Sequence, residues 1–253
     1  MQSENREAFI RQVELSVSEI FGPTLQGEGA SQGKPTMFLR LSLCNLDCSW
    51  CDTPYTWDWQ GKNGTQYVKA EQIKRMSVAD VLTHMPTNCE RIVITGGEPM
   101  LQQKALLIFI EQLALMTSRH PYKAQYKVEI ETNGTLMPSP DFAMYAVQFN
   151  VSPKLSNSGV PTNKAINFGA LTEYRHMNAN FKFVVKDNDC LREITTITKE
   201  VGIPNDKVWL MPEGRTAADI LQQLPWAFDV CAGKGFNLSP RLHVLAHNDK
   251  RGI

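Results

Sequence analysis

The sequence has no surplus charge of either sign, with 26 Lys and Arg against 26 Asp and Glu. That balance excludes a general electrostatic pull toward nucleic acid or an anionic membrane. It also lacks any apolar run of about 18 residues, so no transmembrane helix is expected. Met1 to Arg11 is polar and mixed in charge, unlike a secretory signal. A cytoplasmic chain is therefore expected, in which thiols stay reduced. No internal repeat, low-complexity tract or long linker breaks the sequence. One domain over residues 1–253 is the expectation, with residues 1–13 as an N-terminal extension. Nor do the six cysteines make a disulfide framework. Cys89, Cys190 and Cys231 are scattered and read as small buried side chains. Cys44, Cys48 and Cys51 crowd into one loop, L-C-N-L-D-C-S-W-C-D-T.

Around that loop the pattern is an ordered alternation. Residues 1–12 read as a frayed or helical extension. Glu14 to Phe21 alternates apolar and polar, as a half-buried strand does. A loop of four glycines and two prolines in fourteen residues follows, Gly22 to Pro35. Thr36 to Leu43 reads as a strand with Arg40 inside it. Trp57 to Lys69 carries Asn63-Gly64 between β-prone residues, which suggests a hairpin. Ser77 to Met85 reads as a helix, with Ser77 and Asp80 at capping-box spacing. Strands are expected at Arg91–Thr95, Tyr126–Glu131, Val147–Val151, Phe181–Lys186, Val208–Met211 and Leu238–Ala246. Helices are expected at about Gln102–Ser118, Asn163–His176, Cys190–Gly202 and Ala217–Leu224.

Such alternation with short links predicts an α/β chain with a parallel sheet and crossover helices. Most strands end in polar or glycine-rich tips: C-N-L-D-C, G-G-E-P, T-N-G, S-P-K and P-E-G. In parallel α/β sheets these tips share one face, at the carboxyl ends of the strands. That face carries the active site in barrels. The simpler reading is that every strand must end in a turn anyway.

Three thiols on one loop suit a metal. Structural zinc takes four ligands, usually as two separated pairs. No second C-x2-C exists here, and neither Cys89, Cys190 nor any histidine is placed by spacing as a fourth ligand. Iron–sulfur clusters are normally held by four cysteines. Three, with no local fourth, would leave one iron of a four-iron cluster open to a small molecule. Zinc, an open cluster and a non-catalytic metal-binding module all stand at this point.

Cys44-x3-Cys48-x-Trp50-Cys51 resembles the radical S-adenosylmethionine (SAM) signature, and Thr95-Gly96-Gly97-Glu98-Pro99 resembles that superfamily's G-G-E motif. Glycyl-radical-activating enzymes, which act on a protein partner, share the cysteine signature. T-L-Q-G-E-G (Thr24 to Gly29), F-L-R-L (Phe38 to Leu41), C-D-T (Cys51 to Thr53), E-T-N-G (Glu131 to Gly134), S-P-K (Ser152 to Lys154) and the tail narrow the resemblance. The chain is similar to the 7-carboxy-7-deazaguanine synthase family from about Ser18 to Ile253. The resemblance implies a radical SAM core in a partial, shortened and open TIM-like barrel with mostly parallel strands. Residues 58–90 would be a family-variable insert. The implied activity is a lyase reaction of queuosine and 7-deazapurine biosynthesis. It converts 6-carboxy-5,6,7,8-tetrahydropterin to 7-carboxy-7-deazaguanine with loss of ammonia, through a 5′-deoxyadenosyl radical, and SAM is regenerated. The cofactors implied are a [4Fe-4S] cluster, SAM and Mg2+. The partners implied are the pterin substrate, a flavodoxin-like or ferredoxin-like electron donor and a second copy in a homodimer.

The resemblance also implies roles by position. Cys44, Cys48 and Cys51 would hold the cluster, and Thr53 would ligate Mg2+, with Asp52 holding one of its waters. Trp50, Gly97, Glu98, Ser152, Pro153, Lys154, Met211, Pro212, Glu213 and Gly214 would bind SAM. The glycines have a physical reason, since a residue without Cβ lets the backbone approach the cofactor. Leu25, Gln26, Gly27, Glu28, Arg40, Thr95, Glu131, His247 and Ile253 would bind substrate. Arg40 would pair with its carboxylate, because an Arg in an apolar strand is costly without one. A structural ion pair would satisfy it equally. Glu129 lies on the same strand face as Glu131, and only position within E-T-N-G favours Glu131. Thr53 and Asp52 could instead cap the next helix, His247 could be a surface histidine, and Gln26 and Glu28 could be solvated. Trp50, Tyr55, Trp57 and Trp59 would shield a cluster or simply pack.

Overall fold

The computed structural model describes residues 2–86, 89–118 and 126–253; residues 87–88 of the expected insert lie outside them. Helix α1 (Gln2–Gln12) leads into strand β1 (Glu14–Leu25), which turns back through a largely buried loop into β2 (Pro35–Leu41). After the cysteine loop come a short helix α2 (Lys69–Gln72), an edge strand β3 (Lys74–Ser77) and helix α3 (Val78–Thr83). Strand β4 (Arg91–Gly96) and helix α4 (Gln103–Ser118) begin the regular alternation. It continues through β5 (Lys127–Thr132), β6 (Gln148–Val151), α5 (Thr162–Ala165), α6 (Phe168–Arg175), β7 (Ala179–Val185) and α7 (Asn188–Val201). It ends with β8 (Val208–Pro212), α8 (Ala217–Lys234), β9 (Asn237–Leu238) and α9 (Leu242–His247).

One sheet runs in the order β3-β1-β2-β4-β5-β6-β7-β8-β9. Only the β1–β2 and β1–β3 pairs are antiparallel; every pair from β2–β4 onward is parallel. Strands β4 to β9 therefore neighbour one another in chain order, as barrel strands do. The outermost strands, β3 and β9, do not pair, so the barrel is open. Burial follows from this architecture. Residues Ile92–Ile94 on β4 and all of β7 are buried, the continuous run expected of a strand covered on both faces. The helices bury stripes: Cys190, Ile194, Ile197 and Val201 on α7 lie at 3.6-residue spacing. Cys89, Cys190 and Cys231 are 5%, 2% and 5% exposed, packed as small apolar side chains.

Local chemistry sets the element ends. Ser77 and Asp80 form both halves of a capping box at α3, and Thr216 and Asp219 do so at α8. Helix α8 runs past Pro225, beyond the Leu224 end that the sequence suggests. Pro225 lies on the exposed side, while buried Ala227 and Cys231 hold the second half.

Two expectations fail. Trp57–Lys69 forms no hairpin. Asp58, buried at 1% exposure, accepts from the backbone N–H groups of Gln60, Lys62 and Asn63 at 3.2, 3.0 and 2.8 Å. Those donors point at one carboxylate, so no ladder forms. Leu238–Ala246 is not a strand either. The chain leaves the sheet after Leu238, since Pro240 has no N–H for a ladder. Arg241 takes a left-handed conformation (φ 56°), and α9 follows.

The tip of β4 fits its neighbour with no space for a side chain. Gly96 has φ 138°, and a Cβ there would lie 2.0 Å from the Leu41 carbonyl oxygen; one on Gly97 would lie 2.1 Å from that of Leu43. Gly97 N–H donates to Leu41 O and Glu98 N–H to Leu43 O, at 3.1 and 2.8 Å. The glycines thus let two strand tips interlock under the cysteine loop. Gly96→Ala should cost about 3 kcal/mol, roughly 6–12 °C in melting temperature. Gly33→Ala has a positive φ but open space around it, so it should cost only about 1 kcal/mol. Equal melting shifts for the two would show that packing at Gly96 is unimportant.

Candidate active site

The strand tips surround one cavity of about 230 Å³. The cysteine loop forms one wall. Cys44, Cys48 and Cys51 all line the cavity, and around them Leu46, Cys48, Val160 and Ala165 make a small apolar core of their own. Neighbouring tips tie the loop in place. Asn45 Nδ2 donates to Thr135 Oγ1 at 2.8 Å, Asn133 Nδ2 to Asn45 Oδ1 at 2.9 Å, and Ser49 N–H to Ser158 O at 2.9 Å. Burial pushes the Cys44 thiol up to about 12 and raises those of Cys48 and Cys51. Each would release its proton only to a metal.

The loop fits a cluster in three respects. Its three sulfurs share one wall. Two N–H groups already aim at sulfur: Trp57 Nε1 to Cys51 Sγ at 3.3 Å and Leu46 N–H to Cys44 Sγ at 3.5 Å. Such bonds tune cluster potentials. The buried Trp50 Nε1 has no hydrogen-bond partner among the described residues, although Trp50 lines the cavity. Lys154 Nζ lies 5.5 Å over the Trp50 ring and donates to Ser152 Oγ at 2.9 Å, a cationic corner beside the sulfurs. Among the described residues, no group of three His, Cys, Asp or Glu could hold a single metal ion.

The rest of the lining is largely polar and charged. Gln26, Gly27 and Glu28 enter on the loop after β1; Arg40 comes from β2, Thr95 from β4, Glu131 from β5 and Lys182 from β7. Glu28 lies between two cations, with Lys182 Nζ on one oxygen and Arg241 Nε 3.1 Å from the other. Burial opposes its charge, but Lys182, Arg241 and His243 together hold its carboxyl well below the usual range. Glu131 is bridged by the same lysine at 2.8 Å and accepts from Asn150 Nδ2 at 3.0 Å and Gln26 Nε2 at 3.4 Å. Burial raises its carboxyl, and Lys182 offsets this only in part. Glu129, two residues earlier, does not reach the cavity; it pairs with Arg91 and accepts from Ser31 and Asn150.

Arg40 spends one face on the protein. Its Nε donates to Glu19 Oε1 at 2.7 Å, and its guanidinium lies 5.5 Å over Phe21. Glu19 also receives Tyr55 Oη at 3.0 Å and Arg251 Nε at 3.1 Å. The rest of the guanidinium borders the cavity. Thr53 precedes a single 3-10 turn, Pro54–Thr56, yet makes no side-chain cap, so its hydroxyl is not used in capping. It lines the cavity instead, with Oγ1 3.8 Å from Cys51 Sγ. Asp52 pairs with Arg241.

Most residues singled out in the sequence meet here. Leu25, Gln26, Gly27, Glu28, Arg40, Trp50, Thr53, Thr95, Gly97, Glu131, Ser152, Lys154, Met211 and Ile253 line the cavity with the three cysteines. Others do not. Glu98 is 0% exposed and faces its own chain, accepting from Met100 N–H, Thr132 Oγ1 and Asn133 N–H at 2.9, 2.7 and 2.7 Å. Pro153, Pro212, Glu213 and Gly214 stand behind the lining. His247 is exposed at the end of α9; His243, one turn earlier, lines the cavity in its place. A Cβ on Gly27 would meet His243 Nδ1 at 2.0 Å, so the bare backbone of Gly27 seats that ring. Lys182, Arg241 and His243 were missed. The signal for Lys182 was present: a lysine in the apolar run F-K-F-V-V is as costly as Arg40 in its strand.

Comparison with known proteins agrees with this geometry. The Radical SAM superfamily model matches residues 40–152, which run from β2 through the cysteine loop to S-P-K. The 7-carboxy-7-deazaguanine synthase of Pyrobaculum aerophilum is 34% identical over 94% of this chain and 97% of its own. That of Bacillus subtilis is 31% identical over 94% and 98%. The crystal structure of QueE from Escherichia coli shares the fold, with a TM-score of 0.64 over 92% of this chain and 96% of that one, at 23% identity. No helix among the described residues is long and apolar enough to cross a membrane. Similarity sustained over nearly the full length of such relatives, with the motif cysteines on one cavity wall, means that the chain belongs to the radical SAM enzymes of the 7-carboxy-7-deazaguanine synthase family.

Proposed function

We infer that the chain converts 6-carboxy-5,6,7,8-tetrahydropterin to 7-carboxy-7-deazaguanine with loss of ammonia. One observation carries this reading: Cys44, Cys48 and Cys51 line the same cavity as Gln26, Glu28, Arg40 and Glu131. When bound, a [4Fe-4S] cluster and SAM would supply the radical chemistry that removes a hydrogen atom from the substrate. Cys44, Cys48 and Cys51 would hold the cluster. Lys154, Ser152 and Gly97, which line the cavity with the cysteines, would bind SAM. Arg40, buttressed by Glu19, pairs with the substrate carboxylate. The Thr53 hydroxyl, which caps no helix, would offer Mg2+ a hard oxygen ligand. Gln26, Glu28 and Glu131 present acceptors and an amide to the pterin edge. Ile253 lines the same cavity, so the tail closes over the ring.

The remaining partners follow from the family: an external one-electron donor and a homodimer. One sheet through the described residues supports a single domain, with residues 58–90 as a family-variable insert. Nothing in the site favours a protein-activating enzyme or a non-catalytic module.

The test is anaerobic incubation of reconstituted protein with SAM, Mg2+, reductant and the carboxypterin. Product of the expected mass, with ammonia, is the expected outcome. SAM cleavage without product would refute the substrate. Within that assay, Arg40→Ala should weaken carboxypterin binding roughly 10- to 100-fold, the worth of a charged hydrogen bond. SAM binding should be unchanged; equal loss of both would make Arg40 structural.

A further inference from the structure

Lys182 is a buried charge at the cavity that the reaction above does not use. It lies in the middle of β7, where every residue is buried, and is itself 4% exposed. Its ammonium bridges two carboxylates from different parts of the chain, Glu28 on the loop after β1 and Glu131 at the tip of β5. Each carboxylate is also held on its other oxygen. Arg241 Nε donates to Glu28 Oε1 at 3.1 Å, and Asn150 Nδ2 to Glu131 Oε1 at 3.0 Å. The remaining charged groups facing the trio are His243 on α9, Asp52 beneath Arg241, and Glu129 on β5, which is neutralised by Arg91.

Two carboxylates facing one site cannot both ionise unless a cation separates them; one would keep a proton. The difference matters for recognition. An ionised carboxylate only accepts hydrogen bonds, whereas a protonated one also donates. We propose that Lys182 is a positioning residue that holds Glu28 and Glu131 as a paired, acceptor-only wall, so that the cavity selects heterocycles presenting adjacent N–H donors on one edge. An amino-pyrimidinone edge, with its ring N–H beside an amino group, has that pattern; an edge of carbonyls does not. Burial already pushes the Glu131 carboxyl upward and Lys182 is the first influence against it, which agrees with this role.

The proposal rests on the carboxypterin reading, and its test keeps the two apart. Substrate binding is followed by calorimetry on the cluster-loaded enzyme with SAM but no reductant, in two buffers of different ionisation enthalpy, near neutral pH. If wild type binds no carboxypterin, the functional reading fails and the proposal with it. If it does bind, Lys182→Met should weaken binding on the order of 100-fold, because one buried carboxylate loses its cation. That variant should also release about one more proton per substrate bound than wild type, since the N–H edge needs the ionised pair. SAM affinity should not change. Lys182→Arg keeps a cation and should release no extra proton. In Lys182→Met/Glu131→Gln the carboxylate pair is gone, and so should be the proton release. Wild-type affinity and proton count in the Met variant would overturn the proposal, as would parallel loss of SAM and substrate. If the Met variant does not fold, extra proton release by the Arg variant, or by the double variant, overturns it.

Discussion

Cys48→Ala abolishes SAM cleavage. The expected reading is 5′-deoxyadenosine formation at the level of a no-enzyme control under dithionite, with iron and sulfide contents far below wild type. The reason is arithmetic: the wall has three sulfurs, and no other cysteine can substitute, since Cys89, Cys190 and Cys231 lie buried outside the cavity lining. The variant should still fold. Cys48 contributes only a small side chain to the apolar cluster of Leu46, Val160 and Ala165, and its truncation costs on the order of 1 kcal/mol. Retained cleavage with bound iron would mean that Cys48 is not an anchor.

Arg241→Met has the largest expected effect on stability. Arg241 is 7% exposed and ties three segments together: Glu28 on the substrate loop, Asp52 on the cysteine loop, and the Gly214 carbonyl oxygen at 2.6 Å. Removing one partner of a buried pair leaves the other uncompensated, at about 3–5 kcal/mol. Most of that should come from Glu28, whose side chain is 17% exposed; Asp52, at 42%, is screened by water. The loss has a definite pH dependence. The Glu28 carboxyl is held below its unfolded value, so its contribution is complete above about pH 4.3 and fades as pH falls toward the folded value. The Met variant lacks one of the opposing cations, so the gap narrows. Melting temperatures of the iron-free chain should differ most above about pH 5 and converge in acid. A difference that stays constant from neutral pH into acid would show that Arg241 acts through packing rather than charge.

Much of this was legible before any coordinates. Strand and helix order followed from periodicity, because β4 to β8 are short apolar runs bounded by turn residues and helical stripes. The Ser77–Asp80 cap was readable because a capping box is local. The errors fell where tertiary contacts outvoted local preference. Asn63-Gly64 would favour a hairpin, but Asp58 takes the backbone donors first. The segment after Leu238 alternates like a strand, yet Arg241 pairs with the carboxylates of Glu28 and Asp52 from a left-handed backbone position that ends any strand. Nothing local marks His243, because the bare Gly27 backbone that seats its ring lies more than 200 residues away in sequence.

Sequence by itself determined the chemistry of the cysteine wall. Spacing within eight residues brings three sulfurs together, and the radical SAM signature they form implies an iron–sulfur cluster wherever the loop sits. Residues far apart in sequence had to be brought to one cavity by the sheet. Only the fold placed Lys182 between Glu28 and Glu131, gave Arg40 its buttress in Glu19, left the Thr53 hydroxyl free of any cap, and turned Glu98 away from the cavity. Whether a buried charge is paired, and with what, depends on the distance between segments. Periodicity and spacing carry no information about that distance until the sheet closes around the site.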